Sequence, residues 1–192
     1  MNSTSLANRE HWLTSAIDQM RPVFDLINQP LPRNIRVSCS LPSGGVRSNA
    51  IGECWSDKAS ADGTHEIFIN PKLDKPLDVF AVLVHELVHT LPKCFDHGQK
   101  FGRVCDALGL APGAKGYKST VPGAEFAETY ANLLAGLGDY PHAALSTILG
   151  KKKQGIRMLK ASCPSCGYTI RLSAKWADKG LPDCICGDHL SL

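Results

Sequence analysis

His85-Glu86-Leu87-Val88-His89 is the stretch of this chain best equipped for chemistry. Imidazoles four residues apart on an α-helix differ by about 40° in azimuth and about 6 Å in rise, so both can reach one metal ion. Glu86 is turned about 100° from His85, beside the metal rather than on it, where a carboxylate can act as a base toward water. A catalytic zinc keeps three protein ligands and leaves its fourth position to water. The downstream donors are Cys94, Asp96, His97, Glu125 and Glu128. His97 is favoured, because imidazole commonly completes such a set and Gly98 permits a tight approach before a helix expected over about Gln99 to Leu108. Glu125 or Glu128, on a helix expected from about Gly123 to Leu137, would give a two-histidine, one-glutamate site instead. Cys94 reads as a small buried residue, since a thiolate would compete for the open position.

A second group of ligand-type residues lies near the C-terminus. Cys163-x2-Cys166 is followed after seventeen residues by Cys184-x-Cys186. The intervening length suits a structural zinc site, although the second pair is one residue shorter than the usual C-x2-C, and His189 or Asp188 are alternatives for the fourth ligand. Four thiolates close a site, which makes it structural rather than catalytic. Cys39, Cys54, Cys94 and Cys105 are scattered by comparison. The clustering points to metal binding in a reducing, intracellular compartment rather than to a disulfide framework.

These residues need elements to hold them. Trp12, Leu13, Ala16, Ile17, Met20, Val23, Phe24 and Ile27 recur at helical spacing between about Asn8 and Asn28, with Pro22 a candidate kink. Three β-type runs follow, Ile35 to Ser40, Ala50 to Ser56 and His65 to Asn70, separated by turn residues; they imply an antiparallel sheet. The third precedes the metal motif and is a candidate cleft-rim strand for pairing with an extended peptide, or else an ordinary core strand. Pro76 and Asp78 suit the first turn of a helix from Leu77 to Leu91, which Pro92 stops. That helix is apolar nearly all round, so two histidines and a glutamate within it are costly unless a metal uses them. Ala111 to Pro122 reads as a loop rich in Gly, Pro, Lys and Ser that could line the cleft. Tyr117 and Tyr130 are the nearest phenols for steadying an oxyanion, though packing roles are the commoner use of such residues. His142 reads as a turn histidine, and His11 and His65 as incidental. In the tail, Tyr168 to Leu172 is a candidate strand and Ala174 to Lys179 a helical turn between the cysteine pairs.

The His85-to-His89 motif, the later His97-Gly98-x-x-Phe101, the stretch Cys105-Asp106-Ala107-Leu108-Gly109-Leu110, and Cys163-Pro-Ser-Cys166-Gly167-Tyr168 with its second cysteine pair together resemble the SprT-like metalloproteases. That family includes Spartan-type proteases acting on DNA-protein crosslinks. The resemblance covers roughly Ile67 to the C-terminus. It implies His85, His89 and His97 as ligands of a catalytic zinc, Glu86 as the base, and a C-terminal zinc ribbon.

At 192 residues, 43% hydrophobic and 20% charged, the chain has the composition of a soluble globular protein. The expected organisation is an α+β, zincin-like metalloprotease domain over residues 1–150, with helices packed on a small antiparallel sheet, followed by a small zinc ribbon over residues 151–192. Met1 to Trp12 lacks the apolar core of a signal peptide, and Val79 to Val84 is far too short to span a bilayer, so a cytoplasmic location and no membrane role are expected. Charge is divided unevenly. Residues 1–150 carry 13 basic against 15 acidic side chains, net −2, and residues 151–192 carry 8 against 3, net +5. Lys151, Lys152, Lys153, Arg157, Lys160, Arg171, Lys175 and Lys179, with Tyr168 and Trp176 for base stacking, make DNA a candidate partner of the ribbon.

The expected function is that of a zinc endopeptidase with two zinc ions, one catalytic held by His85, His89 and His97, and one structural held by Cys163, Cys166, Cys184 and Cys186. Glu86 would take the proton from water and pass it to the departing amine. By resemblance and tail charge, the substrates would be DNA-associated or DNA-crosslinked proteins. The competing reading is a nucleic-acid-binding zinc protein, serving repair or transcription, whose metal site is not used for proteolysis; the presence of Glu86 speaks against it.

Overall fold

Asn8 starts the first helix: its side chain accepts the His11 N–H at 2.8 Å, satisfying one of the amides that a helix start leaves without a partner. Helix α1, Arg9–Leu26, buries Trp12, Ala16, Met20 and Phe24 at four-residue spacing with Leu13 and Ile17 beside them, and it continues through Pro22 without a break. The structure, a computed structural model, describes residues 8–146 and 158–192; the basic run Lys151 to Lys153, Gln154, Gly155 and Arg157 lie outside the described residues. The chain divides into two compact units, Met1–Thr147 and Ile148–Leu192.

In the first unit, strands β1 (Ile35–Cys39), β2 (Gly52–Trp55) and β3 (His65–Ile69) form a sheet ordered β1-β3-β2. The expectation of an antiparallel sheet holds for β2 with β3, where Cys54 faces Ile67, but β1 pairs with β3 in parallel, Val37 facing Ile67. The cause is burial. β3 carries Ile67 and Ile69, both fully buried, so it takes the centre, and a strand that returns antiparallel to β2 then runs with β1. Of the two readings offered for β3, the core strand is the one found, because the edge strands are β1 and β2.

Helix α2, Pro76–His89, begins with proline in its first turn, and every residue from Val79 to His89 is buried. Thr90 closes it by donating its hydroxyl to Leu87 O at 2.7 Å. Helix α3, Gln99–Ala107, follows after a short loop. The segment expected as a loop is extended throughout instead, as β4, Leu110–Pro122. It doubles back on itself: the Gly123 N–H donates to Gly109 O at 2.9 Å, Gly113 lies against the backbone of Ser119, and Gly116 at the tip has φ of 64°. The single helix expected from Gly123 to Leu137 is broken into α4, Phe126–Thr129, and α5, Ala131–Leu137. Tyr130 sits at the break, its ring packed 5.1 Å from Phe80 and 4.7 Å from Phe126 and its hydroxyl donated to Leu108 O, so tertiary packing overrides local helix propensity there.

The second unit is a hairpin of β5, Leu159–Ser162, and β6, Thr169–Leu172, followed by one helical turn, α6, Ala174–Ala177. Its buried apolar set is Ala161, Cys163, Cys184 and Leu190. Among the described residues, no helix is long and apolar enough to cross a membrane.

Candidate functional site

Helix α2 delivers His85 and His89 to one face, and the loop to α3 brings His97 against them. One ring nitrogen from each of the three lies within 4.8 Å of the others. A tetrahedral zinc with Zn–N near 2.0–2.1 Å needs nitrogens about 3.3 Å apart, so small side-chain adjustments suffice. Phe101, fully buried, lies beneath all three imidazoles, its centroid 5.0, 4.5 and 4.9 Å from those of His85, His89 and His97. It restricts each ring to the face of the cleft, a role that its place in the sequence motif does not reveal.

Two of the remaining ring nitrogens, those of His89 and His85, are held. His89 Nδ1 donates to the Cys94 carbonyl at 2.9 Å. That carbonyl is set by a turn in which the Cys94 N–H donates to Leu91 O and Lys93 adopts φ of 62°. His85 Nδ1 lies 2.8 Å from Thr120 Oγ1 on β4. With both Nδ1 atoms engaged, Nε2 is the nitrogen each ring presents to a metal.

Glu86 is 5% exposed. It reaches the sheet only because residue 52 is glycine: a Cβ there would stand 2.3 Å from Glu86 Oε1 and 2.6 Å from Val82 Cγ1. Burial pushes the Glu86 carboxyl up to about 8, and the charge of Glu53 adds to the shift. Cys54, also on the β2 wall of the cleft, has its thiol pushed well above the usual range by burial and by the Glu86 charge, which disfavours a thiolate there.

These groups open onto a cleft of 740 Å³. One wall is Asn49 to Cys54, including edge strand β2; the other is the β4 hairpin, through Lys115 and Lys118 to Val121; Phe95 and His97 close one end. Asn70 fixes the first wall by donating its side-chain amide to Ala50 O at 2.7 Å. Other candidates lie elsewhere. Glu125 lines a separate groove, and Glu128 is exposed outside the histidine cluster. Asp96 accepts the Gly98 N–H, and Cys94 is buried. Tyr117 donates its hydroxyl to Asp106 Oδ1 at 2.6 Å and Tyr130 is bound to Leu108, so neither phenol lines the cleft. His142 bridges Arg9 and Pro71 O, as befits a structural turn histidine. Thr120 and Gly52 are the residues that sequence reasoning missed.

In the second unit the four cysteine sulfurs lie within 4.8 Å of one another, with Cys163 Sγ 3.5 Å from Cys186 Sγ and Cys166 Sγ 3.4 Å from Cys184 Sγ. Sulfurs around a tetrahedral zinc stand about 3.8 Å apart, given Zn–S near 2.3 Å. Cys184 and Cys186 therefore both join the cluster despite the short spacing. Gly187, with φ of 90°, gives the tighter turn, and the Cys184 N–H donates to Asp188 O. His189 is paired with Asp183 at 2.6 Å and Asp188 accepts from Ser165, so neither is needed as the fourth ligand. The Cys166 and Ser165 amides pull the Cys163 thiol down to about 7, whereas burial and the neighbouring thiols raise Cys184 to about 12 and the neighbouring thiols raise Cys186, so without a metal the four sulfurs do not all favour the thiolate. Two distinct clusters can thus each coordinate zinc: an N3 set with room for a fourth ligand, and a closed S4 set.

Burial, with the charges of the neighbouring imidazoles, lowers His85 to about 3, and burial lowers His89 to about 4; His97 is lowered as well. His85 and His89 are therefore already neutral well below the ordinary imidazole value, so protons compete weakly with metal at these two rings. Zinc affinity at the histidine site is expected to change less than tenfold between pH 7.5 and 6.0, as read by chelator competition. A steeper fall would show that the rings titrate as free imidazoles. The metal-free protein behaves differently. For His85 and His89 the unfolded chain takes up protons near 6.5 and the folded one only near 3 to 4, so the contribution of these two rings to stability is lost as pH falls through that window.

No family model, curated protein or solved structure matches the chain. The histidine motif and the four-cysteine cluster are consistent with a zincin-like protease joined to a zinc-ribbon-like element.

Proposed function

We propose that this chain is a zinc-dependent endopeptidase of the SprT-like kind, acting on proteins held on DNA. The observation that carries the reading is a buried Glu86 carboxyl and three converging imidazoles lining one cleft, which is walled by an edge strand. When bound by His85, His89 and His97, zinc supplies Lewis acidity toward a carbonyl and toward water. Glu86 holds the proton released from water and passes it to the leaving amine, and its raised affinity for a proton suits the second task. Strand β2 offers the backbone groups of its outer edge to an extended peptide, which orients the scissile bond along the cleft.

DNA association is supported by the ribbon. Lys160 and Arg171 face each other directly across β5 and β6, a like-charge pairing that disfavours the hairpin and is relieved by a bound anion. Tyr168 and Trp176 are 45% and 62% exposed, available as stacking platforms.

The test is cleavage of free and DNA-bound proteins by the zinc-loaded chain, with metal counting. Two zinc ions per chain and cleavage stimulated by DNA are expected. Two zinc ions with DNA binding and no cleavage would replace this reading with a nucleic-acid-binding zinc protein. Gly52→Ala gives a finer check, since the nearest atoms its methyl group would meet belong to Glu86 and Val82. It is expected to destabilise the protein by about 1–3 kcal/mol and to reduce cleavage at least tenfold while zinc content stays at two. Full activity in this variant would remove Glu86 from the place assigned to it.

A further inference from the structure

We infer that Thr120 is a positioning residue for His85, and that the β4 hairpin is thereby part of the metal centre. The inference rests on the histidine cluster as a metal site and is independent of what that site cleaves.

His85 and His89 are held by different chemistry. The Cys94 carbonyl can only accept, so His89 is fixed with its proton on Nδ1 and its lone pair on Nε2. Thr120 Oγ1 can donate or accept, so the 2.8 Å bond to His85 Nδ1 is compatible with either tautomer. Only acceptance by Thr120 leaves the Nε2 lone pair of His85 available to a metal, and metal binding therefore selects that arrangement.

The hydroxyl is aimed from outside the ligand set. Tyr117 latches the hairpin onto α3, with its hydroxyl on Asp106 and its ring against Gly102, where a Cβ would stand 2.8 Å from Tyr117 Cε2. The Gly123-to-Gly109 hydrogen bond closes the hairpin base. Residues flanking Thr120, Lys118, Ser119 and Val121, line the cleft. One rigid ribbon thus forms a cleft wall and sets a ligand ring, so displacement of the wall turns His85.

Thr120→Val preserves shape and removes the oxygen, whereas Thr120→Ser preserves the oxygen. Zinc affinity of the full chain is measured by chelator competition, with cobalt spectra separating the thiolate site from the imidazole site, and with melting of the metal-free protein as a control. Thr120→Val is expected to weaken zinc at the histidine site about 10- to 100-fold, leaving the thiolate site and the metal-free melting temperature nearly unchanged. Thr120→Ser is expected to stay within about threefold of the parent. Parent-like affinity in Thr120→Val, or a Ser variant as weak as the Val variant, would overturn the inference. A parent chain binding one zinc, at the thiolates alone, would overturn it together with the metal centre. A parent chain that binds two zinc ions and cleaves nothing, yet shows the Val and Ser pattern, supports the inference while defeating the peptidase reading.

Discussion

Glu86→Gln is expected to leave both metal sites loaded and to lower peptide hydrolysis by about 10²–10⁴-fold, the usual contribution of a positioned acid-base group. The amide matches the carboxyl in size, so it fits against Gly52 and Val82 without moving β2 from α2. It cannot take a proton from water, and it leaves His85 and His89 with their Nδ1 partners and all three imidazoles on their Phe101 floor. The loss should therefore fall on kcat, with zinc stoichiometry unchanged. A second signature concerns stability. Glu86 in the folded, metal-free protein ionises near 8, against an ordinary carboxylate value of 4.5, so between these values the folded state holds a proton that the unfolded state has lost. Its contribution makes the metal-free parent less stable as pH rises through that window. The glutamine variant lacks that dependence, and thermal melts of both metal-free proteins between pH 5 and 9 would show the difference. Cleavage by Glu86→Gln at the parent rate would end the mechanism, whatever the melts show.

Much of this site was legible before any coordinates, and the reason is local geometry. The four-residue spacing of His85 and His89 on an apolar helix constrains both rings at once, and a short loop leaves His97 little room to go elsewhere. The stripe Trp12, Ala16, Met20, Phe24 is legible for the same reason, since a helix turns periodicity directly into a buried face. What escaped is what depends on distant segments meeting. Thr120 lies in a stretch rich in Gly, Lys and Ser whose composition suggests a loop, and only the closure of Gly109 on Gly123 makes it a ribbon facing His85. Gly52 resembles any turn glycine until the Glu86 side chain is placed against it. The parallel β1–β3 pair and the break at Tyr130 are likewise products of packing, of β3 toward the centre and of a phenol ring between Phe80 and Phe126.

Cys184→Ser is expected to release the ribbon zinc and unfold residues 158–192 while the first unit keeps its fold and its own zinc. Little else holds the second unit together. Among the described residues its four buried apolar residues are the ligands Cys163 and Cys184 with Ala161 and Leu190, and only the partly buried Ile170, Leu172 and Leu181 pack against them. A core this small cannot offset the entropy of ordering the chain, so metal binding must supply the difference; apparent values for structural zinc are about 10–16 kcal/mol. Among the described residues the backbone ties are short ones: the β5–β6 pairing, the Ser162–Ser191 and Asp183–His189 bridges, the two cysteine turns and the single turn of α6. The like-charge Lys160–Arg171 pair works against them. One zinc per chain and rapid proteolysis or amide exchange confined to residues 158–192 are the expected readouts. Cys39→Ser, outside both clusters, should leave two zinc ions in place. If the ribbon carries the DNA contact, Cys184→Ser should also abolish stimulation by DNA while preserving cleavage of free protein substrates. Retention of two zinc ions and a protected tail in Cys184→Ser would show that three thiolates, or a recruited His189, suffice for the ribbon.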